Sequence, residues 1–166
     1  MNMIFCVDKN YGIGKDNQML FNLKTDLSYF KEKTINKVVV MGYNTFLSLP
    51  NSKPLKNRTN IIITSKDIKI DNTIVVHTKD ELFNTLKNYN SEDIFVIGGA
   101  SIYNLLLPYC KRFYCTKVDA EKPATVFAPN LDKTENIKLV KTSRIFTENS
   151  LNFRFLEYKN ENTISY

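Results

Sequence analysis

Five short runs dominated by apolar residues, interleaved with helical patterns, limit what this chain can fold into more than any other feature. Met3–Val7, Val38–Met41, Asn60–Thr64, Thr73–His77 and Ile94–Ile97 are continuous rather than alternating, the mark of strands covered on both faces. Between them lie a helix from Thr25 to about Lys33, a short one over Thr45–Leu49 and an amphipathic one over Lys79–Asn88. A fourth helix, Ala100–Leu107, follows the Gly98-Gly99 pair. Thr25 is placed to cap the first helix, and Leu27 and Phe30 share its apolar face. This alternation predicts parallel pairing.

Beyond Pro108 no further long helix is evident, and Arg112–Val118, Ile137–Ile145 and Asn152–Lys159 carry the aromatic and branched residues of strands. The expected fold class is α/β: one domain over residues 1–166, built on a central mixed, mostly parallel β-sheet with an antiparallel C-terminal edge strand and about four flanking helices. Lys9–Leu23, rich in Asn, Gly and Asp, reads as a long loop with little regular structure, a length that commonly goes with function.

A chain of 166 residues with 43% hydrophobic and 24% charged residues is long enough for one core and carries no signature of disorder. The formal net charge of +6 favours anionic partners: nucleic acid, an acidic membrane surface, or a phosphorylated or carboxylated small molecule. The lysines are scattered rather than gathered into a stripe, and Phe153, Phe155 and Tyr158 nearly alternate along a strand, so sheet packing accounts for them better than base stacking. No run of about 18 apolar residues occurs, and Asp8 comes too early for a signal peptide, so a cytoplasmic protein without membrane contact is expected. Cys6, Cys110 and Cys115 have neither metal-ligand nor redox spacing and read as buried thiols. With His77 as the single histidine, mechanisms needing two imidazoles are excluded, and no metal site is expected. The Asn57 N-x-T triplet has meaning only in a secreted chain.

Two places carry chemistry. A strand delivering Gly98-Gly99 into a helix at Ala100 can present backbone amides to a phosphate, pyrophosphate above all, although a Gly pair there serves equally as a tight turn. Asp26, beside Leu27 and Phe30 on the face that should meet the sheet, is either a carboxylate whose pKa is raised by an apolar setting or a solvated first-turn residue.

Several segments, in order along the chain, together resemble dihydrofolate reductase. GIGKDNQMLFNLKTDLSYFKEKT (Gly12–Thr34) is similar to the family's mobile active-site loop and the helix carrying its acid, which the match places at Asp26. The family's Pro-Trp pair is Leu20-Phe21 here, so Phe21 keeps an aromatic ring beside the pterin but loses the indole donor that helps hold an ordered water. VVVMGYNTFLSLP and PLKNRTNIIITS match the strand–helix–strand that clamps cofactor and substrate tail, which implies Gly42, Asn44 and Thr45 on the cofactor and Lys53 and Arg58 on the folate tail. Arg58 would pair with the glutamate α-carboxylate, a bidentate role suited to a guanidinium. Tyr43 stands where the family often has Arg for the 2′-phosphate of NADPH, leaving Thr64, Ser65, Lys66 and His77 as polar partners.

FVIGGASIYNLLLP resembles the family's pyrophosphate and nicotinamide stretch: Gly98, Gly99, Ala100, Ser101 and Ile102 on the cofactor, Tyr103 near the nicotinamide, and a cis Gly98–Gly99 peptide. RFYCTKVDAEKPATVFAP places Thr116 where its hydroxyl binds Asp26 and the pterin amino group, with Ala124-Thr125 in place of a frequent Gly-Asp pair. The resemblance further implies Cys6, Ile13, Gly14, Asn17 and Met19 on the cofactor, and Ile4, Phe5, Leu27, Phe30, Leu49 and Ile97 around the substrate. Met19 and Phe21 would close over the site. Asp26, Phe21 and Thr116 would form the catalytic group.

The activity this implies is NADPH-dependent reduction of 7,8-dihydrofolate to tetrahydrofolate by a monomer, with hydride delivered to C6 and a proton to N5, in support of one-carbon metabolism. Two other readings fit parts of the pattern. One is a same-fold reductase acting on a ribosylated pyrimidine of riboflavin synthesis, against which Asp26 and Arg58 argue. The other is an inactive, basic relative that binds RNA, against which Asp26, Thr116 and Gly98-Gly99 argue.

Overall fold

The computed structural model describes residues 1–166. In chain order the elements are β1 (Asn2–Val7), β2 (Gly12–Lys15), β3 (Gln18–Met19), α1 (Lys24–Thr34), β4 (Val38–Gly42) and α2 (Tyr43–Ser48). They continue as β5 (Thr59–Ile63), β6 (Ile74–Val76), α3 (Lys79–Leu86), β7 (Ile94–Gly98), α4 (Ala100–Leu106) and β8 (Arg112–Val118). The last are β9 (Val126–Phe127), β10 (Ile137–Thr142), β11 (Phe146–Glu148) and β12 (Leu151–Asn160).

The main sheet has the order β10-β12-β8-β1-β7-β4-β5-β6, with β11 paired to β12. From β8 to β6 every pairing is parallel, and β12 runs antiparallel to both β8 and β10, so the sheet is mixed with an antiparallel C-terminal edge as expected. The continuous apolar runs lie in its parallel part because both faces are covered. One face meets Leu82 and Leu86 of α3 and Leu106 of α4 through Met3, Val40, Ile94, Val96 and Phe113. On the other face, Val39, Met41 and Ile62 pack with Phe46 of α2. Parallel strands leave their carboxyl ends together, and Val7, Gly42 and Gly98 end there, where open α/β sheets receive ligands.

Three local expectations need correction. Lys9–Leu23 is not without regular structure: β2 and β3 form a hairpin that adds to β9 in a separate three-stranded sheet. Asp16 and Asn17, at φ 53° and 60°, supply the two left-handed residues that a tight hairpin turn requires, and Asp and Asn tolerate that region. Thr25 does not cap α1. Leu23 holds the cap position with no side-chain bond, and the free amides are met from another strand. The strand expected over Ile137–Ile145 stops at Thr142, where β10 ends: Ser143 leaves the ladder, its hydroxyl accepting from the Phe155 amide at 2.9 Å, and a separate short strand, β11, starts only at Phe146. Of the three thiols, Cys110 and Cys115 are buried, while Cys6 is only partly so. No helix is long and apolar enough to cross a membrane, and no group of three or more His, Cys, Asp or Glu side chains is placed to hold a metal.

Candidate active site

The site is assembled around the first turn of α1. Helix α1 begins one residue after Leu23, which is buried with Phe21, Val118 and Phe153, and this apolar peg sets Asp26 against the carboxyl end of β8. There the Thr116 hydroxyl donates to Asp26 Oδ1 at 2.6 Å. Thr116 faces Cys6 across the β1–β8 ladder and Phe155 across β8–β12, so its rotamer is set by a packed sheet. Burial raises the Asp26 carboxyl above its ordinary range; hydrogen bonds from Thr116 and the Cys6 thiol oppose that rise, and the Glu148 charge adds to it. Asp26 is therefore a held, partly desolvated acid rather than a solvated helix residue.

Leu27 and Phe30 do not vanish into the sheet as their shared face suggested. Leu27 stays 45% exposed and Phe30 half-buried, leaving apolar surface open beside Asp26. Ile4 and Phe5 on β1 are buried, and Leu49 and Ile97 are half-buried against the Val39–Met41–Ile62 cluster. Tyr103 is buried in α4: its hydroxyl donates to the Ile4 carbonyl at 2.9 Å and its ring meets Phe5 edge-on at 5.3 Å. Phe21 is buried at 7% exposure and Met19, on β3, is 66% exposed.

At the Gly98–Gly99 turn the peptide is cis, as expected, and Gly98 has φ 128°, a conformation that side chains rarely adopt. A Cβ on Gly98 would lie 3.3 Å from Tyr103 Oη, and one on either glycine 3.4 Å from Thr45 Oγ1. The turn is thus a bare backbone cradle between α2 and α4, with Ala100, Ser101 and Ile102 opening α4 beside it. Gly42, ending β4, lets Ile102 approach closely, since a Cβ there would sit 3.2 Å from Ile102 Cγ1. Asn44 is exposed in the first turn of α2.

Beyond α2, Lys66 holds its ammonium 5.0 Å from the centre of the Tyr43 ring, so a cation stands over the residue that departs from the expected Arg. His77 Nδ1 lies 2.8 Å from the Thr64 carbonyl, which brings the Thr64–Lys66 turn and the end of β6 together; Ser65 is exposed in that turn. Arg58 bonds through Nε to Thr34 Oγ1 at 3.3 Å and through Nη1 to the Lys56 carbonyl at 2.9 Å, which fixes the guanidinium at the far end of α1 from Asp26. Lys53 is exposed on the turn between them. Ile13 and Gly14 lie on β2, and Asn17 belongs to the hairpin turn, where its φ rather than its side chain is used.

Three residues with clear structural work went unnoticed in the sequence. Glu148 on β11 accepts from the Lys24 amide at 2.6 Å, the Thr25 amide at 3.0 Å and the Thr25 hydroxyl at 2.7 Å, capping α1 from outside. Asp8, buried at the end of β1, accepts from the amides of Asn10 and Gly12 at 2.8 Å each and of Lys122 at 3.2 Å. Lys122 donates to the Leu20 carbonyl at 2.8 Å. Only Asp8 had a local signal, an Asp followed closely by turn-forming Asn and Gly; the other two act across more than 100 residues.

The sequence and the fold have counterparts among known proteins. The family model described as dihydrofolate reductase matches residues 1–160. A dihydrofolate reductase of Bacillus subtilis is 36% identical over 166 aligned positions, covering 98% of this chain and 96% of that one. One from Haemophilus influenzae is 30% identical, covering 93% and 95% of the two chains. Among solved structures, dihydrofolate reductase from Enterococcus faecalis complexed with NADP(H) and RAB-propyl superposes with a TM-score of 0.86 at 28% identity, covering 96% and 95%.

Proposed function

Because the chain belongs to the dihydrofolate reductase family, we propose that the cleft beside Asp26 is the place where 7,8-dihydrofolate is reduced to 5,6,7,8-tetrahydrofolate with NADPH. The observation that carries this reading is the Asp26–Thr116 pair at 2.6 Å, set in apolar surroundings at the carboxyl ends of the sheet. The glycine cradle also lies at the carboxyl end of the sheet, where β7 ends at Gly98.

A pterin presents a ring N–H and an exocyclic amino group side by side, and Asp26 with Thr116 offers the matching acceptors. The carboxylate takes both, and the Thr116 hydroxyl, already committed as donor to Oδ1, accepts from the amino group with its free lone pair. Leu27, Phe30, Leu49 and Ile97 supply the apolar walls, with Ile4 and Phe5 beneath, which exclude water from the reacting face. Arg58, oriented by Thr34 and the Lys56 carbonyl, receives the glutamate carboxylate of the substrate tail, with Lys53 near the solvent end. Protonation at N5 is favoured by Asp26, because the negative charge of its ionised carboxyl, poorly solvated in this setting, is stabilised by a proton on the pterin beside it. Phe21 closes the pocket on the loop side.

The residues present fit a dinucleotide. Side chains at positions 98 and 99 would fill the space against Thr45 and Tyr103 that glycine leaves open, so backbone amides from Gly99 to Ile102 and the Thr45 hydroxyl would hold the diphosphate. Thr64, Ser65, Lys66 and His77 would hold the 2′-phosphate, with Lys66 providing the cation that Tyr43 does not. Asn44, Ile13, Gly14, Asn17, Met19 and Cys6 complete the cofactor side. When bound, NADPH supplies the hydride that the pterin accepts at C6. The chain works as one domain and as a cytoplasmic monomer in this reading.

The test follows absorbance at the nicotinamide band while purified protein meets dihydrofolate with NADPH or with NADH. Dihydrofolate-dependent loss of NADPH absorbance is expected; no turnover with either dinucleotide would overturn the proposal.

A further inference from the structure

One row of the main sheet runs beneath helix α1. Residues in register on neighbouring strands carry their side chains on the same face. Cys6 of β1 is in register with Thr116 of β8, and Thr116 with Phe155 of β12. Above that row, α1 sets Asp26 over Thr116, whose hydroxyl donates to it at 2.6 Å, and Tyr29 over Phe155, the two rings stacked at 4.1 Å. Asp26 and Tyr29 are three residues apart and so share one face of the helix. The remaining member of the row, Cys6, is thereby carried on the acid's side of the sheet, next to the threonine that binds the acid.

Its surroundings set it apart from the other two thiols. Cys110 and Cys115 are buried in the cluster on the opposite face, with Met3 and Phe5. Cys6 packs against the Phe21, Leu23, Val118 and Phe153 cluster and keeps part of its surface open. The strand order β8-β1-β7 puts it between Thr116 and the end of β7 at Gly98. Its thiol hydrogen goes to Asp26. Burial first, and then the neighbouring carboxylate, push the thiol well above its ordinary value, so it keeps its proton at neutral pH and acts as a donor rather than a nucleophile.

We propose that Cys6 is a positioning residue for the reaction: its thiol is the second donor, beside Thr116, that orients the Asp26 carboxyl and holds it in the ionised form that accepts the pterin N–H groups. Two donors from adjacent strands fix the carboxyl plane more firmly than one. Each also bonds the carboxylate more strongly than the neutral acid, which offsets the burial that opposes ionisation. The chemical role rests on the proposed function; the contact between Cys6 and Asp26 does not.

The other ionisable groups around Asp26 are Glu148 from β11, Tyr29 on its own helix and Cys115 from β8, while β12 presents Phe155 and the β2–β3 loop Phe21, with the Lys122 ammonium 4.8 Å from that ring. None of them changes in Cys6→Ala, which removes the donor, or in Cys6→Ser, which keeps one at the same branch point. The first readout needs no turnover. Protein labelled with 13C at its aspartate carboxyls is titrated without substrate, the Asp26 resonance being the one that Asp26→Asn lacks. Cys6→Ala should raise the Asp26 midpoint by about half a pH unit, as expected for losing one weak hydrogen bond to a charged acceptor. Cys6→Ser should return it to the wild-type value or below. The acid limb of kcat/KM for dihydrofolate should move upward with the midpoint in Cys6→Ala and return in Cys6→Ser. An Asp26 midpoint within about 0.1 pH unit of wild type in Cys6→Ala would overturn the proposal, as would a Ser variant that titrates like the Ala variant. A midpoint that moves as stated in a protein that does not reduce dihydrofolate would support the donor and overturn the function instead.

Discussion

Asp26 and the hairpin tip at Asp16–Asn17 stand on the same stretch of chain, yet the molecule holds them by opposite means. The first turn of α1 is tied by three bonds to Glu148, by Thr116 to the sheet and by the buried Leu23 peg to the core. Ten residues earlier in sequence, the tip is exposed, and the lysine at 122 is the one side chain from elsewhere that bonds to the Asp16–Leu23 segment. Redundant, partly buried contacts suit a group that must sit within tenths of an ångström of a substrate atom. A single exposed contact suits a segment that can shift at little cost in free energy.

The strongest way to test the rigid side is to neutralise the acid without changing its shape. Asp26→Asn should keep the fold and lower kcat/KM for dihydrofolate by about 10²–10⁴-fold, the usual range for losing a positioned acid–base group, as measured by NADPH consumption. The same variant has a stability signature of known sign. Burial raises the Asp26 pKa above its ordinary value near 3.8, so the folded state holds this proton more tightly than the unfolded one. Its stabilising contribution is complete below that ordinary value and is lost as pH rises through the folded value. At neutral pH the ionised carboxylate therefore weighs against folding. Asp26→Asn should melt higher than wild type at pH 7, with the gap closing toward pH 3; a variant that melts lower at pH 7 would mean that the Thr116 bond outweighs desolvation.

The base of the loop belongs with the rigid side, and Asp8 is where that is tested. Asp8→Ala removes the acceptor of three amides, of which Gly12 is buried. Leaving such donors unpaired should cost about 2–4 kcal/mol in urea unfolding. A cost below about 0.5 kcal/mol, the level of an ordinary surface change, would show that the base is as loosely held as the tip and would erase the contrast.

What the amino-acid sequence discloses follows the same division. Buried parallel strands announce themselves: Arg112–Val118 has the boundaries expected from its composition, and Val38–Gly42 and Ile94–Gly98 each extend one residue further. Asp26 could be singled out because three neighbouring residues of one helix carry the signal, although its apolar flank faces an open cleft, as the exposure of Leu27 shows. The Gly98-Gly99 turn was ambiguous until the family pattern joined it to Asp26 and Thr116. Glu148 and Lys122 left no trace, because each acts through main-chain atoms of residues more than 100 positions away, and a backbone amide or carbonyl has no letter in a sequence. Thr25 misled for a related reason. A hydroxyl at a helix start normally accepts from its own helix, but this one donates to Glu148 and leaves capping to a carboxylate from β11.

That carboxylate gives the smallest and most discriminating effect. Its pKa is lowered, first by the bond from the Thr25 hydroxyl and then by the Thr25 and Lys24 amides. A depressed pKa contributes stability above the ordinary value near 4.5, and that stability is lost as pH falls through the folded value, the opposite slope to Asp26. Glu148→Gln can accept through only one oxygen, so it should melt slightly lower than wild type at pH 7 and lose less on acidification below pH 4.5. Removing the charge also removes one influence that raises the Asp26 pKa, so the acid limb of the pH–rate profile should move to slightly lower pH with kcat little changed. A deep loss of kcat in a variant that still melts cooperatively would place Glu148 among the groups that touch the chemistry. An unaltered melting profile would mean that α1 is held by Leu23 and Thr116 alone, and the rigid wall would then be one contact poorer than its geometry indicates.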